Sequence, residues 1–370
     1  MKIENFELER FQSLWENEVD YNLSESGVHP LTMKEILGED ELDEIISTRL
    51  GYGHTNGSPE LRHTVAQLYN GISEENIMIT NGSSEANLIT MLSLLDSGDE
   101  LIYMIPNYLQ IWGFARSLGV DVKTIPLRES LDWQIDTDEL KQLISSKTKM
   151  IAVCHPNNPT GAVVHPEIMD EVLRLAGEID AYVLSDEVYR GAELDGIESH
   201  SFIGNYDKVI VNAGLSKAYR LPGLRLGWSV GSADFINKAW ETHDYTTISI
   251  GLLSDRIGRK VLQTDRRKKI LSSTRNILSE NLNLLKNWVD ENSDLISLIP
   301  PKAGAIAYLK YSMNIRSSEL VTRLRDEQDV LLVAGEWFGM DGFVRIGFGE
   351  TKNVMIAALD RLNTFFSAYR

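Results

Sequence analysis

Short apolar runs alternate along this chain with stretches whose apolar residues recur every three or four positions. Leu61 to Tyr69 carries helical spacing, and Ile77-Met78-Ile79-Thr80 has the texture of a strand. The run SSEANLITMLSLL, from Ser83 onward, predicts a helix that opens on hydroxyls and an acid. Leu101–Met104, Val120–Ile125, Met150–Cys154, Ala181–Ser185, Lys208–Ala213 and Leu224–Val230 are further strand-like runs. Helices are expected between them over Tyr108–Leu118, around Leu140–Ile144 and over Pro166–Ile179. Apolar strands separated by helices imply crossover units and a mostly parallel, buried sheet. Ligands of such sheets bind beyond the carboxyl ends of the strands, so the loops there are where chemistry is sought.

After about residue 250 the pattern changes. Long helical segments cover 252–290, short apolar runs follow at Leu295–Ile299 and Ile306–Lys310, and a last helix is expected over 352–369. A chain of 370 residues is too long for one simple core. The expected division is a large domain over 46–270 and a smaller α+β domain made of 1–45 and 271–370.

The net charge of -18 narrows the partners. A face that tracks nucleic-acid phosphates needs an excess of lysine and arginine, and the chain has the reverse. Its one basic cluster, Arg266-Arg267-Lys268-Lys269, reads as a solvated helix face. A single cysteine, Cys154, rules out an internal disulfide and fits a reducing compartment. It follows four apolar residues in an expected strand, so a buried structural thiol is expected rather than a nucleophile. The N-terminus is amphipathic and acidic and lacks the layout of a signal peptide. No apolar run approaches the roughly 20 residues that span a bilayer. A cytoplasmic protein is expected, with no metal.

Four loops carry candidate chemistry. After Ile77–Thr80 comes Asn81-Gly82-Ser83-Ser84, a tight turn into a helix start whose free N–H groups suit an anion. Taken alone, this reads as an ordinary serine cap with an acidic first turn. After Met150–Cys154 comes His155-Pro156-Asn157-Asn158-Pro159-Thr160-Gly161, a dense and uncommon turn that would fix an amide. After Ala181–Ser185 come Asp186 and, three residues on, Tyr189, which could serve one ligand twice or merely cap a helix. After Lys208–Ala213 comes GLSKAYRLPGLRLG, residues 214–227. Lysines in otherwise apolar turns form Schiff bases, though most single lysines are solvated.

In this order and spacing the motifs resemble those of the fold-type I, class I/II aminotransferases of the aspartate-aminotransferase superfamily. The resemblance covers nearly the whole chain, and the Lys217 stretch with NNPTG is its most specific part. It implies an aspartate-aminotransferase-like α/β fold: a large domain with a mostly parallel sheet flanked by helices, plus the smaller α+β domain. It implies pyridoxal 5'-phosphate (PLP) as cofactor, held by Lys217 as a Schiff base. The same lysine would move the Cα proton.

Further roles follow from the same resemblance. Asp186 would face the pyridine nitrogen, and Tyr189 and Asn158 the phenolic oxygen. Ser83, Ser84, Ser216 and Arg225 would cradle the phosphate, and Tyr108 would stack on the ring. Tyr52, in GYGHTNG, would reach the phosphate of a partner subunit, making the active form a homodimer. Arg345, in Gly342-Phe343-Val344-Arg345-Ile346-Gly347, would grip the substrate α-carboxylate. Gly27 and Asn158 would complete the substrate site. Two positions depart from the pattern: Arg220 stands where a small residue is usual, and Gly214 where a phosphate-binding serine is common. Arg220 could meet an acidic substrate or point to solvent. Arg256 is a further candidate without an assigned role.

The expected activity is transamination between an amino acid and a 2-oxo acid. The alternative is another PLP reaction on the same scaffold: elimination, replacement or cyclisation. SESGV, GSSEA and Asp244-Tyr245-Thr246-Thr247 resemble segments of capreomycidine-synthase-like enzymes. A cofactor-sensing transcription regulator would need a DNA-binding domain, for which the first 45 residues are too few and too acidic.

Overall fold

The computed structural model describes residues 2–204 and 206–370. Its centre is a seven-stranded sheet. In spatial order the strands are Ile77–Thr80, Gly227–Val230, Val209–Gly214, Tyr182–Asp186, Thr148–Cys154, Glu100–Ile105 and Asp121–Pro126. Only Gly227–Val230 runs against its neighbours. The central strands are buried along nearly their whole length. This matches their unbroken apolar sequence, because helices cover both faces of a parallel sheet. One consequence organises the site. The carboxyl ends of Ile77–Thr80, Thr148–Cys154, Tyr182–Asp186 and Val209–Gly214 all lie at one end of the sheet, where Gly227–Val230 begins.

A second sheet is antiparallel, in the order Val333–Ala334, Phe343–Gly347, Ile306–Tyr311, Ile296–Leu298. Helices Ser317–Gln328 and Lys352–Phe366 accompany it. The short strand Tyr21–Asn22 pairs in parallel with Val330–Leu331. Helix Thr264–Glu291 runs unbroken for 28 residues, and the expected division at residue 270 falls inside it.

Local chemistry moved several expected element ends. Tyr108 precedes its helix, which begins at Gln110. The helical stretch expected over 252–290 is two helices, Leu252–Val261 and Thr264–Glu291, separated at Leu262-Gln263. The apolar run from Leu224 becomes a strand only at Gly227, because Pro222–Leu224 is a short 3-10 turn and Arg225 is left-handed, with φ 46°. That turn redirects the Arg225 side chain, which then lies over Gly82. A Cβ on Gly82 would sit 2.6 Å from Arg225 Nη2. Gly82 itself has φ +86°, a conformation glycine adopts freely.

Candidate active site

At the carboxyl end of the large sheet lies a cavity of about 310 Å³. The loops named from the sequence meet there. Lys217, Asp186, Tyr189, Asn158, Ser83, Ser84, Ser216, Arg225, Tyr108 and Arg345 all line it. Tyr52 does not: it is 88% exposed on the surface of the chain. Gly27 packs at the cavity's edge, where a Cβ would lie 3.5 Å from Lys217 Cδ and 3.4 Å from the Ser216 carbonyl oxygen.

Each polar group has an identifiable support. Asp186, on the last residue of its strand, accepts from Asn87 Nδ2 at 2.9 Å and from the Val188 N–H at 3.2 Å. Burial raises its pKa against those bonds and the charge of Lys217. Tyr189 is buried, which holds its phenol protonated, opposed by the charge of Arg345. Arg345 is 1% exposed. It donates to Asn158 Oδ1 at 3.0 Å and to the Ser24 carbonyl oxygen, while its buried Nε has no partner. Desolvation lowers its pKa, so this guanidinium gains from an anion. The NNPTG turn is fixed from within, since Asn157 Oδ1 accepts from the Thr160 hydroxyl at 2.7 Å and from its N–H at 3.2 Å.

Near the helix start at Ser83, the chain prepares an anion site. Helix Ser83–Leu94 begins immediately after Gly82, and Arg225 lies against that turn. A helix N-terminus with an arginine beside it favours a phosphate. Gly214, where a serine is common, has no room for one: a Cβ would stand 2.9 Å from the Leu226 carbonyl oxygen.

One expectation is corrected by the geometry. Arg220 neither enters the cavity nor points to solvent. It is buried, with φ 63°, and donates to the His29 carbonyl oxygen at 2.6 Å and to Ser273 Oγ at 3.3 Å. It therefore ties the N-terminal segment to the long helix. Arg256 donates to Thr48 Oγ1 at 3.0 Å and does not line the cavity.

Residue-by-residue reading of the sequence missed one wall of the cavity. Glu9, Gln12, Glu16 and Glu25 line it. Gln12 Nε2 donates to the Ser24 carbonyl oxygen at 2.9 Å, which locks helix Glu7–Trp15 to that segment. Glu9 Oε1 accepts from Tyr108 Oη at 2.7 Å. Lys217 Nζ donates to Glu25 Oε1 at 2.7 Å. The 9-12-16 spacing, one face of a helix, was the available signal. Asn87 was also missed, and only its position on the first turns of the phosphate-side helix hinted at it.

Residues 18–362 match the family described as aminotransferase class I and II. The chain belongs to that family. Capreomycidine synthase of Streptomyces vinaceus is 30% identical over 93% of this chain and 90% of its own length. An aspartate aminotransferase of Pyrococcus horikoshii is 28% identical over 84% of this chain and 82% of its own. The crystal structure of a PLP-dependent aminotransferase from Streptococcus suis superposes with a TM-score of 0.94, 35% identity, and 100% and 99% coverage of the two chains.

The protein is thus an enzyme of the aspartate-aminotransferase fold, and its cofactor is PLP. The residues present fit that group. A buried carboxylate that burial makes costly to ionise, Asp186, suits a ring N–H. The Gly82–Ser84 helix start, with Arg225, suits a phosphate. Lys217, in the same cavity, suits an aldehyde carbon. Among the described residues no cluster of three or more His, Cys, Asp or Glu could hold a metal. No described helix is long and apolar enough to cross a membrane.

Proposed function

We propose that this enzyme is a transaminase that moves the amino group of an α-amino acid to a 2-oxo acid in two half-reactions at one site. The observation that carries this reading is that Lys217 and a buried Arg345 with a free Nε line one cavity. A single carboxylate clamp can then serve the amino acid and the oxo acid in turn.

When bound, PLP supplies an aldehyde that joins amines and a ring that takes up the electron pair left at the substrate Cα. The protein's side chains do the rest. Lys217 would hold the cofactor through Nζ and, as a free amine, would take the proton from Cα. Asp186 would keep a proton on the ring nitrogen. Tyr189, a phenol held protonated, and Asn158 would hydrogen-bond the phenolic oxygen. Ser83, Ser84, Ser216 and Arg225 would hold the phosphate, and Tyr108 would stack on the ring. Arg345 would grip the α-carboxylate, and the bare backbone at Gly27 would leave room for the substrate. Tyr52 serves the site of a second copy in a homodimer, in line with its exposure.

A second reading is favoured by the similarity to capreomycidine synthase: cyclisation, elimination or replacement on the same scaffold. One experiment separates the two. The PLP-loaded protein is mixed with single amino acids and no acceptor, and its absorption spectrum is followed. Conversion of the lysine-bound band to the amine form of the cofactor, with one equivalent of oxo acid, supports transamination. Ammonia, or a cyclised product, with the lysine-bound band restored supports the second reading.

A further inference from the structure

Charge along the cavity wall identifies a substrate class. The cations lining the cavity are Lys217, Arg225 and Arg345. On the reading above they are committed to the cofactor's aldehyde, its phosphate and the α-carboxylate. Asp186 is committed to the ring nitrogen. Three carboxylates remain, Glu9, Glu16 and Glu25, and the parts common to every α-amino acid offer them nothing.

Glu25 already meets Lys217 and the Gly27 N–H. Glu9 spends one oxygen on the Tyr108 hydroxyl. Glu16 has no hydrogen-bond donor or paired cation among the described residues. Its pKa is raised, first by partial burial and then by the negative charges of Glu25 and Glu9. Lys217 offsets part of this, but it is paired with Glu25 and leaves Glu16 without a partner, so a cation received at Glu16 relieves the remaining repulsion. The free, buried Nε of Arg345, within electrostatic reach of Glu25 and Glu9, marks where the α-carboxylate is held. The cavity thus holds an anion clamp and an acidic wall together.

We infer that the enzyme acts on α-amino acids whose side chain ends in a cation, an ammonium or a guanidinium, received by Glu9 and Glu16. This rests on the PLP reading of the site. An acidic side chain would add a fourth carboxylate to that wall. An apolar one would strip water from Glu9 and Glu16 and give nothing back.

The test uses the PLP-loaded enzyme at low salt. L-Lysine, L-arginine, L-norleucine and L-glutamate are titrated in turn while the cofactor's absorption is followed. Norleucine keeps the aliphatic chain of lysine and lacks its charge. The expected result is half-saturation by lysine or arginine at concentrations about tenfold or more below norleucine. Glu9→Gln/Glu16→Gln should erase that advantage and leave norleucine within about threefold of its original value. Should the double variant lose the bound cofactor's absorption, Glu16→Gln alone decides, because that carboxylate supports no bond in the fold. Norleucine or glutamate matching the cationic amino acids overturns the inference while leaving the PLP reading intact. So does a variant that weakens all four equally. A protein that PLP does not colour overturns the underlying reading, and the inference falls with it.

Discussion

Lys217 Nζ and Glu25 Oε1 are 2.7 Å apart, joined across 192 residues of sequence. The carboxylate is well prepared for this. Burial works against its ionisation. The charge and hydrogen bond of Lys217 and the Gly27 N–H outweigh it, holding the Glu25 carboxyl at about 2. The lysine must give up this ion pair before its amine can attack an aldehyde.

Capture of the cofactor by the apoprotein should therefore be faster in Glu25→Gln. The pair is partly exposed, so its value is about 1 kcal/mol at most, or about fivefold in rate. Stopped-flow absorbance at saturating PLP measures the covalent step. A rate that is unchanged or slower would show that Glu25 does not hold the lysine back.

Arg345→Ala should raise KM for every α-amino acid. Truncating one partner of a buried charged pair costs about 2 kcal/mol or more, which is about 30-fold in KM. Arg345→Lys, which keeps the charge but not the two-pronged geometry, should recover part of the loss. An unaltered KM in the alanine variant would remove Arg345 from the carboxylate role.

Arg220→Ala addresses a residue whose position the sequence left open. Its guanidinium bonds to His29 and Ser273, away from the cavity. The expected loss is about 2 kcal/mol of stability, as for hydrogen bonds from a charged donor. KM for an acidic amino acid should not move. A selective rise in that KM, with stability intact, would put Arg220 back at the substrate.

How much of this was legible in the sequence depends on distance along the chain. Lys217, Asp186, Asn158 and Ser83 each follow an apolar strand, and a parallel sheet carries all its strand ends to one place. Local pattern and one topological rule therefore assemble that half of the cavity. The wall from Glu9 to Glu25 obeys no such rule. It depends on helix Glu7–Trp15 docking through Gln12 and Ser24, and on Ser24 in turn accepting from Arg345. Arg220 failed as a prediction for a similar reason. Its left-handed backbone, three residues past Lys217, swings the side chain to the far side of the turn. Nothing in the residue types announces that.

Acid should loosen the phosphate end of the site through Glu85. This buried carboxylate accepts from the Asn81 N–H at 2.6 Å and from the hydroxyls of Thr247 at 2.7 Å and Thr246 at 2.9 Å. His243 Nε2 lies 3.6 Å away. Burial opposes ionisation, but the neighbouring His243 and the bonds from Asn81, Thr247 and Thr246 prevail and lower the carboxyl to about 2. A carboxyl depressed by folding stabilises the native state fully above its unfolded value of about 4.5. That stability drains away as pH falls from there to about 2. The amount is on the order of 3 kcal/mol. Glu85→Gln replaces one acceptor oxygen with a donor and removes the charge, so the variant should be less stable than the parent by about that much at pH 7. The gap should close as pH approaches 2, because the parent then carries a neutral carboxyl as well. Urea unfolding of both proteins between pH 7 and pH 2.5 measures it. A gap that stays constant over that range would mean the Glu85 carboxyl is not held ionised by its neighbours, and the turn from Asn81 into the phosphate-side helix would need another source of rigidity.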